Sequence, residues 1–208
     1  SLLAIGMDMM GTFFHELGHT IFWWLFGYPT LPSFDFQHGG GMSWYFGREP
    51  VLEWGLIIAA AYGVWFVWRH HRGLGIAAAV IFILYAGAMF TEFHHIISLF
   101  MGHGGEIVVG SFILARVILD AVPPRPGELE VHALAGWYLI FHPIQLSWGL
   151  IYDPDVQDSY WAQKGSEGFG DFSRIADYFG FANETPVAWL CIGVAVLGVM
   201  VPFSMKWA

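Results

Sequence analysis

Residues 13–19 read Phe-Phe-His-Glu-Leu-Gly-His and lie inside an apolar run that covers residues 2–26. His15 and His19 are four positions apart, so on a helix both imidazoles project from one face, about 6 Å from each other. Glu16 lies one residue further round, where it can reach a water molecule on a shared ion without being a ligand itself. This stretch predicts a helix that binds a metal ion, and the rest of the chain is expected to be arranged around it.

The same residues form the H-E-x-x-H arrangement of zinc hydrolases, in which the two histidines hold the metal and the glutamate is the general base. Isolated buried histidines usually only satisfy hydrogen bonds. Here two histidines and a carboxylate within one apolar helix would be expensive to bury without a partner. The pattern therefore favours one bound Zn²⁺ ion, with His15 and His19 as ligands and Glu16 as the catalytic base.

The composition is that of an integral membrane protein. The 208 residues are 56% hydrophobic and only 12% charged, which is unlike a soluble globular domain. The net charge of −9 argues against nucleic acid and against anionic lipid surfaces as partners. Several apolar runs are long enough to cross a bilayer, so the lipid bilayer is the expected surroundings. The single cysteine, Cys191, excludes a disulfide framework and a thiolate-rich zinc site.

The fold class expected is an all-α membrane domain with about six transmembrane helices. The segments are predicted at 2–27, 51–69, 73–101, 104–122, 131–151 and 186–205. All of residues 1–208 are expected to form one integral membrane domain. Residues 1–120 would form its metal-binding core, and residues 121–208 would add further helices and an acidic loop at 152–185. Within that loop, residues 172–181 are predicted to form one short amphipathic helix on the membrane surface.

The connection at 28–50 is rich in glycine and proline, and its alternating stretches predict two short strands joined at the glycines. An exposed edge strand beside a metal site could hold an extended peptide through main-chain hydrogen bonds. An ordinary interfacial loop anchored by Trp44 and Tyr45 is the equally weighted alternative.

A catalytic zinc ion normally has three protein ligands, so a third residue must complete the site. The candidates are the polar residues of one patch, Glu92, His94, His95, His103 and Glu106. Depth in the membrane favours Glu92 or His95. The glycines at 102, 104 and 105 predict a break in the helix, which would let His103 turn back toward the metal. The third ligand stays open between these residues.

At this point the chain resembles the site-2 protease family, the intramembrane zinc metalloproteases. That family carries H-E-x-x-H on one transmembrane helix and, further on, N-x-x-P-x-x-P-x-D-G-G, whose aspartate is the third zinc ligand. Laid on the second motif, His95-Ile-Ile-Ser-Leu-Phe-Met-Gly-His103-Gly104-Gly105 has the two glycines but neither proline. The resemblance covers about residues 1–120.

The resemblance implies a zinc endopeptidase that cuts membrane-embedded protein substrates. His15, His19 and His103 would hold the ion, and Glu16 would carry the proton. His95 would contact the substrate carbonyl or its developing oxyanion.

Two other readings of the sequence stay open. One is a non-catalytic metal-binding or structural accessory subunit of a larger membrane complex, since 11 tryptophans and 18% aromatics suit lateral packing against neighbouring subunits or pigments. In that case His142, which precedes a mid-helix proline, could be a pigment ligand. The other is a di-metal membrane oxidase that also uses Glu92, His94 and His95.

The basic residues predict the orientation of the chain. With six crossings both termini lie on one side, and that side holds Arg69, Arg72, Arg125 and Lys206. By the positive-inside tendency both termini are expected to be cytoplasmic, in a bacterial inner membrane.

Overall fold

The computed structural model describes residues 2–35, 40–119, 125–163 and 170–207. The described part is almost entirely helical, with one small antiparallel sheet. Its elements in chain order are α1 (Leu2–Leu25), β1 (Thr30–Asp35), β2 (Gly40–Tyr45), α2 (Pro50–His70), α3 (Arg72–Met89), α4 (Phe93–Ile118), α5 (Glu128–Tyr152), α6 (Pro154–Gln163), α7 (Asp171–Phe179) and α8 (Thr185–Trp207).

Four helices of the described part are long and apolar enough to cross a membrane: α2, α3, α4 and α8. The prediction of six spans is therefore wrong in number. Helices α1 and α5 are as long, with 24 and 25 residues, but they are not among the four. Helix α1 carries His15, Glu16 and His19, and α5 carries His142. Polar residues in such segments usually face the interior of a bundle.

Helix α4 lies at the centre of the bundle, against α1, α5, α7 and α8. It runs unbroken from Phe93 to Ile118, so the predicted break near 102–105 is wrong. The chain instead turns between α3 and α4, at residues 90–92. The glycines allow close contact between helices, as small residues do in membrane proteins. A Cβ at Gly18 would overlap the Met101 carbonyl oxygen, and one at Gly105 would lie 2.8 Å from Gly18 Cα.

The two strands predicted in the first connection are present. They pair antiparallel from Thr30 opposite Tyr45 to Asp35 opposite Gly40. The glycine tip of the predicted hairpin, at residues 36–39, lies outside the described residues. The sheet packs on α1, where the indole N–H of Trp24 donates to the carbonyl oxygen of Thr30 at 2.8 Å. This contact keeps the hairpin beside the H-E-x-x-H face.

Residues 152–185 were predicted to be an acidic loop with one short helix. The described part of this segment contains two helices, α6 and α7. The amphipathic helix expected at 172–181 is α7. Much of its apolar face is buried, although Phe179 at its end is 44% exposed. Phe172, Ile175 and Ala176 are buried in the main hydrophobic core, together with residues of α4, α5 and α8. Burial of this apolar face draws the first turn of α7 into the bundle.

Candidate metal centre

Three side chains from two distant parts of the chain meet at one point. His15 Nε2 and His19 Nε2 are 3.0 Å apart, and each lies 3.1 Å from Oδ2 of Asp171. The two histidines come from successive turns of α1, and the aspartate comes from the first residue of α7. These three atoms form one of the two groups in the described part that are close enough to share a metal ion.

The outer nitrogens of both imidazoles are occupied as hydrogen-bond donors. His19 Nδ1 lies 2.7 Å from the carbonyl oxygen of Ser98, which can only accept, so the proton is on Nδ1. His15 Nδ1 lies 3.1 Å from Oε1 of Glu106 and donates to that carboxylate. In the neutral tautomers both Nε2 atoms then carry lone pairs. Two lone pairs and a carboxylate oxygen therefore face one another, an arrangement that a shared cation stabilises.

Asp171 suits the role of an anionic ligand. The side chain is 10% exposed. A buried carboxylate that stays ionised needs positive charge or hydrogen-bond donors beside it.

Glu106 is the polar centre on the other side of His15. It is 0% exposed and has three imidazoles around it. His15 Nδ1 and His103 Nδ1 each lie 3.1 Å from Oε1, and His142 Nδ1 lies 2.6 Å from Oε2. A carboxylate that accepts from the outer nitrogen of a ligand histidine fixes its tautomer and ring orientation.

Gly102 lets α4 pass directly over the rings of His15 and His19. A Cβ at this position would overlap Nε2 of His19 and would lie 2.6 Å from Cε1 of His15. Any other residue here would displace the imidazoles or push α4 away. The glycine that predicted a helix break is thus required by the packing of the site.

Glu16 lies on the side of α1 that faces the β-hairpin. Its Oε2 accepts a hydrogen bond of 2.7 Å from the hydroxyl of Ser43 on β2. The backbone of Gly41 passes so close that a Cβ there would lie 2.5 Å from Cγ of Glu16. Glu16 is only 3% exposed, so strand β2 covers and orients it.

His103 belongs to the second candidate group, with His15 and Glu106. Its ring centroid is 4.5 Å from that of His15, and its Nδ1 donates to Glu106. Its role as a metal ligand stays a prediction.

His95 lies elsewhere, with its ring centroid 5.2 Å from that of Trp23. Of the other residues considered for the third position, Glu92 is 71% exposed beside His95, and the His94 ring contacts the Tyr28 hydroxyl at 3.0 Å. Glu92, His94 and His95 occur in neither metal group within the described ranges.

His142 joins the site through Glu106. Its ring also stacks on Tyr138, whose hydroxyl donates to Oδ1 of Asp8 at 2.6 Å. The side chain of His142 is 37% exposed, so it connects the buried carboxylate to the outside of the bundle.

Sequence reasoning missed Asp171. It is one of several carboxylates in an acidic stretch, and all the residues predicted as third ligands lie at or before position 106. A signal was present, because Asp171 is four positions before Ile175 and so shares the apolar face of a short amphipathic helix. An acidic residue on such a face is drawn inward with it and needs a partner there.

The chain matches no protein-family model, no curated protein and no solved structure. The function is therefore inferred from the chemistry of these side chains.

Proposed function

We propose that this chain is an intramembrane zinc metalloprotease that hydrolyses peptide bonds of membrane-embedded protein substrates. One observation supports it above all others. Two imidazole Nε2 atoms, both without a proton when their outer nitrogens donate, converge with the Asp171 oxygen within 3.1 Å, and Glu16 follows the first ligand in the chain.

The donor set fits zinc. Two imidazole nitrogens and one carboxylate oxygen are ligands of catalytic zinc sites, and their spacing is compatible with bonds of about 2.0–2.2 Å to one shared ion. Bound zinc supplies Lewis acidity, which polarises a carbonyl group and makes water easier to deprotonate. Three protein ligands leave a fourth position for the reactants.

In this proposal Glu16 moves the proton. It accepts a proton from the attacking water as the new carbon–oxygen bond forms, and it returns that proton to the amine as the carbon–nitrogen bond breaks. The Ser43 hydroxyl holds Oε2 of Glu16 in one place, which limits the reorientation needed during transfer. His103, 4.5 Å from the His15 ring, is better placed than His95 for a polar contact with the substrate oxyanion.

We favour Asp171 over His103 as the third ligand because of the positions of the imidazole protons in the two groups. In the group of His15, His103 and Glu106, both Nδ1 atoms can donate to the carboxylate, so the group is satisfied without an ion. In the group of His15, His19 and Asp171, the neutral imidazoles carry their protons on Nδ1, so none is left to donate to the carboxylate.

The surroundings suit a substrate within the bilayer. Four apolar helices accompany the site, and the two-stranded sheet leaves one side of each strand without a strand partner in the described part. An extended segment of substrate could add to that sheet beside Glu16. We assign the chain to a bacterial inner membrane, with the basic end of α2 and α3, at Arg69 and Arg72, on the cytoplasmic side.

The low exposure of the site favours one competing function. The side chains of His15, His19 and Asp171 are 13%, 7% and 10% exposed, as in a metal site that only stabilises a fold. On that view the chain would be a non-catalytic accessory subunit of a larger membrane complex.

Cleavage of a membrane-spanning reporter in liposomes separates these functions. We expect the wild-type protein to cleave it and Glu16→Gln to retain zinc but lose at least about 100-fold in rate, since the general base is removed. Glu53→Gln, which changes another buried glutamate of the described part, is the matched control and should cleave normally. Equal rates for the wild type and Glu16→Gln would discard the protease. Zinc binding without any cleavage would favour the accessory subunit.

A further inference from the structure

Asp171 stands at the first position of a nine-residue helix, and that first turn is held by a side chain of α6 and by the residue that precedes α8. The N–H of Phe172, which has no partner within α7, donates to the hydroxyl oxygen of Tyr160 on α6 at 3.0 Å. The first N–H groups of any helix lack intrahelical acceptors, so the tyrosine acts as a cap supplied from a distance. Tyr160 thereby fixes the backbone of Phe172, the residue next to Asp171.

The contact between Tyr160 and the α7 start is tight. A Cβ at Gly170 would overlap the ring and hydroxyl of Tyr160, so only glycine lets the tyrosine come this close. Gly170 has φ −68° and ψ 148°, a conformation open to any residue, so its backbone angles do not require glycine. The requirement is for space beside Tyr160.

A second contact comes from Glu184, the residue before α8. Its Oε1 accepts from the hydroxyl of Ser173 at 2.6 Å and from the indole N–H of Trp161 at 3.0 Å. One buried carboxylate oxygen therefore joins α6, the first turn of α7 and the start of α8. Glu184 is 8% exposed, and a buried carboxylate needs such donors to be tolerated.

We propose that Tyr160 and Glu184 are positioning residues for the metal ligand Asp171, holding the first turn of α7 so that its carboxylate stays against His15 and His19. Apolar burial of Phe172 and Ile175 sets how deep α7 lies, but apolar contacts are not directional. Hydrogen bonds are directional, and they fix the rotation and height of the first turn. The inference rests on the metal site proposed above and needs no proteolytic activity for its test.

The experiment measures zinc affinity of the purified full chain in detergent, by competition with a chelator. Loss of groups that orient a ligand typically lowers metal affinity by about 10–100-fold. We expect Tyr160→Phe to lose about 10-fold, because only the capping hydroxyl is removed. Glu184→Ala should lose more, and Glu184→Gln should recover most of that loss because its amide oxygen still accepts.

Two controls remove comparable groups elsewhere. Tyr85→Phe removes a hydroxyl that donates to the Leu25 carbonyl oxygen, and Glu53→Ala removes a carboxylate paired with Arg48. Both should keep wild-type zinc affinity. The visible absorption of the Co²⁺-loaded protein adds a second readout, since it reports ligand geometry and should change in Tyr160→Phe but not in Tyr85→Phe.

The outcomes separate this inference from the metal site itself. If Asp171→Asn lowers zinc affinity while Tyr160→Phe stays within twofold of wild type, the positioning role is wrong and the site stands. If Asp171→Asn leaves zinc affinity unchanged, the site and the positioning role both fail. Should Glu184→Ala not fold, Tyr160→Phe decides alone, since it deletes one buried oxygen and leaves the ring in place.

Discussion

Each ring nitrogen of His15 faces a carboxylate, but the two carboxylates differ in the hydrogen-bond donors around them. On the Nδ1 side, Glu106 is surrounded by imidazole nitrogens that can all donate to it, from His15, His103 and His142. On the Nε2 side, Asp171 faces nitrogens of His15 and His19 that carry no proton in the neutral tautomers. The comparison shows that proximity of histidines and carboxylates does not identify a metal site. The positions of the protons distinguish a cation site from an orienting carboxylate.

Replacing Asp171 gives the largest expected effect and tests the Nε2 side directly. Asp171→Asn removes the anionic ligand, so zinc affinity should fall by more than the roughly 10–100-fold typical of an orienting group. Chelator competition on the purified protein measures it. Asp177→Asn, on the exposed face of the same helix, is the matched control and should bind zinc normally. A wild-type affinity for Asp171→Asn would move the ion to the Glu106 side.

Gly102→Ala should have the next largest effect, because the new methyl group overlaps the edge of both ligand rings. We expect zinc affinity to fall by about 10–100-fold and the free energy of unfolding to drop by about 1–3 kcal/mol, as in other overpacked cores. Gly104→Ala is the control, since its Cβ would lie 2.7 Å from Sδ at the flexible end of Met101 and in ordinary contact with Phe100. Equal zinc loss in both variants would mean that helix packing in general, and not the contact with the rings, was disturbed.

Part of the fold and part of the candidate site could be predicted from the sequence. The spacing of His15 and His19 predicted that the two imidazoles meet, because the helical repeat alone brings them to one face. The hairpin followed from alternation and glycines. The break near 102–105 was wrong because glycine has two uses, flexible turns and close helix contact, and sequence does not separate them. Asp171 was missed because its approach to α1 depends on how α7 packs, a contact 152 residues away.

Glu106→Gln sharpens the contrast from the Nδ1 side. The amide keeps one acceptor oxygen but turns an NH₂ group toward imidazole N–H groups, so the orientation of His15 loosens. Zinc affinity should drop by about 10-fold, clearly less than in Asp171→Asn. The ratio of the two affinities is the measurement that matters. A larger loss in Glu106→Gln than in Asp171→Asn would assign the ion to the group of His15, His103 and Glu106.

Ser43→Ala has the smallest expected effect. It tests whether zinc binding by His15 and His19 can be separated from proton transfer by Glu16. The variant removes the hydroxyl that donates to Oε2 of Glu16 and touches neither carboxylate beside His15. Zinc affinity should therefore stay at the wild-type level, while reporter cleavage slows by about 3–10-fold, in keeping with the typical net contribution of one intramolecular hydrogen bond. Ser204→Ala, an exposed serine near the end of α8, should change neither quantity. A hydroxyl that orients only Glu16 has no effect on how tightly His15, His19 and Asp171 hold an ion. If Ser43→Ala lowers zinc affinity as much as it lowers the cleavage rate, the hairpin therefore supports the metal ligands and not the base Glu16.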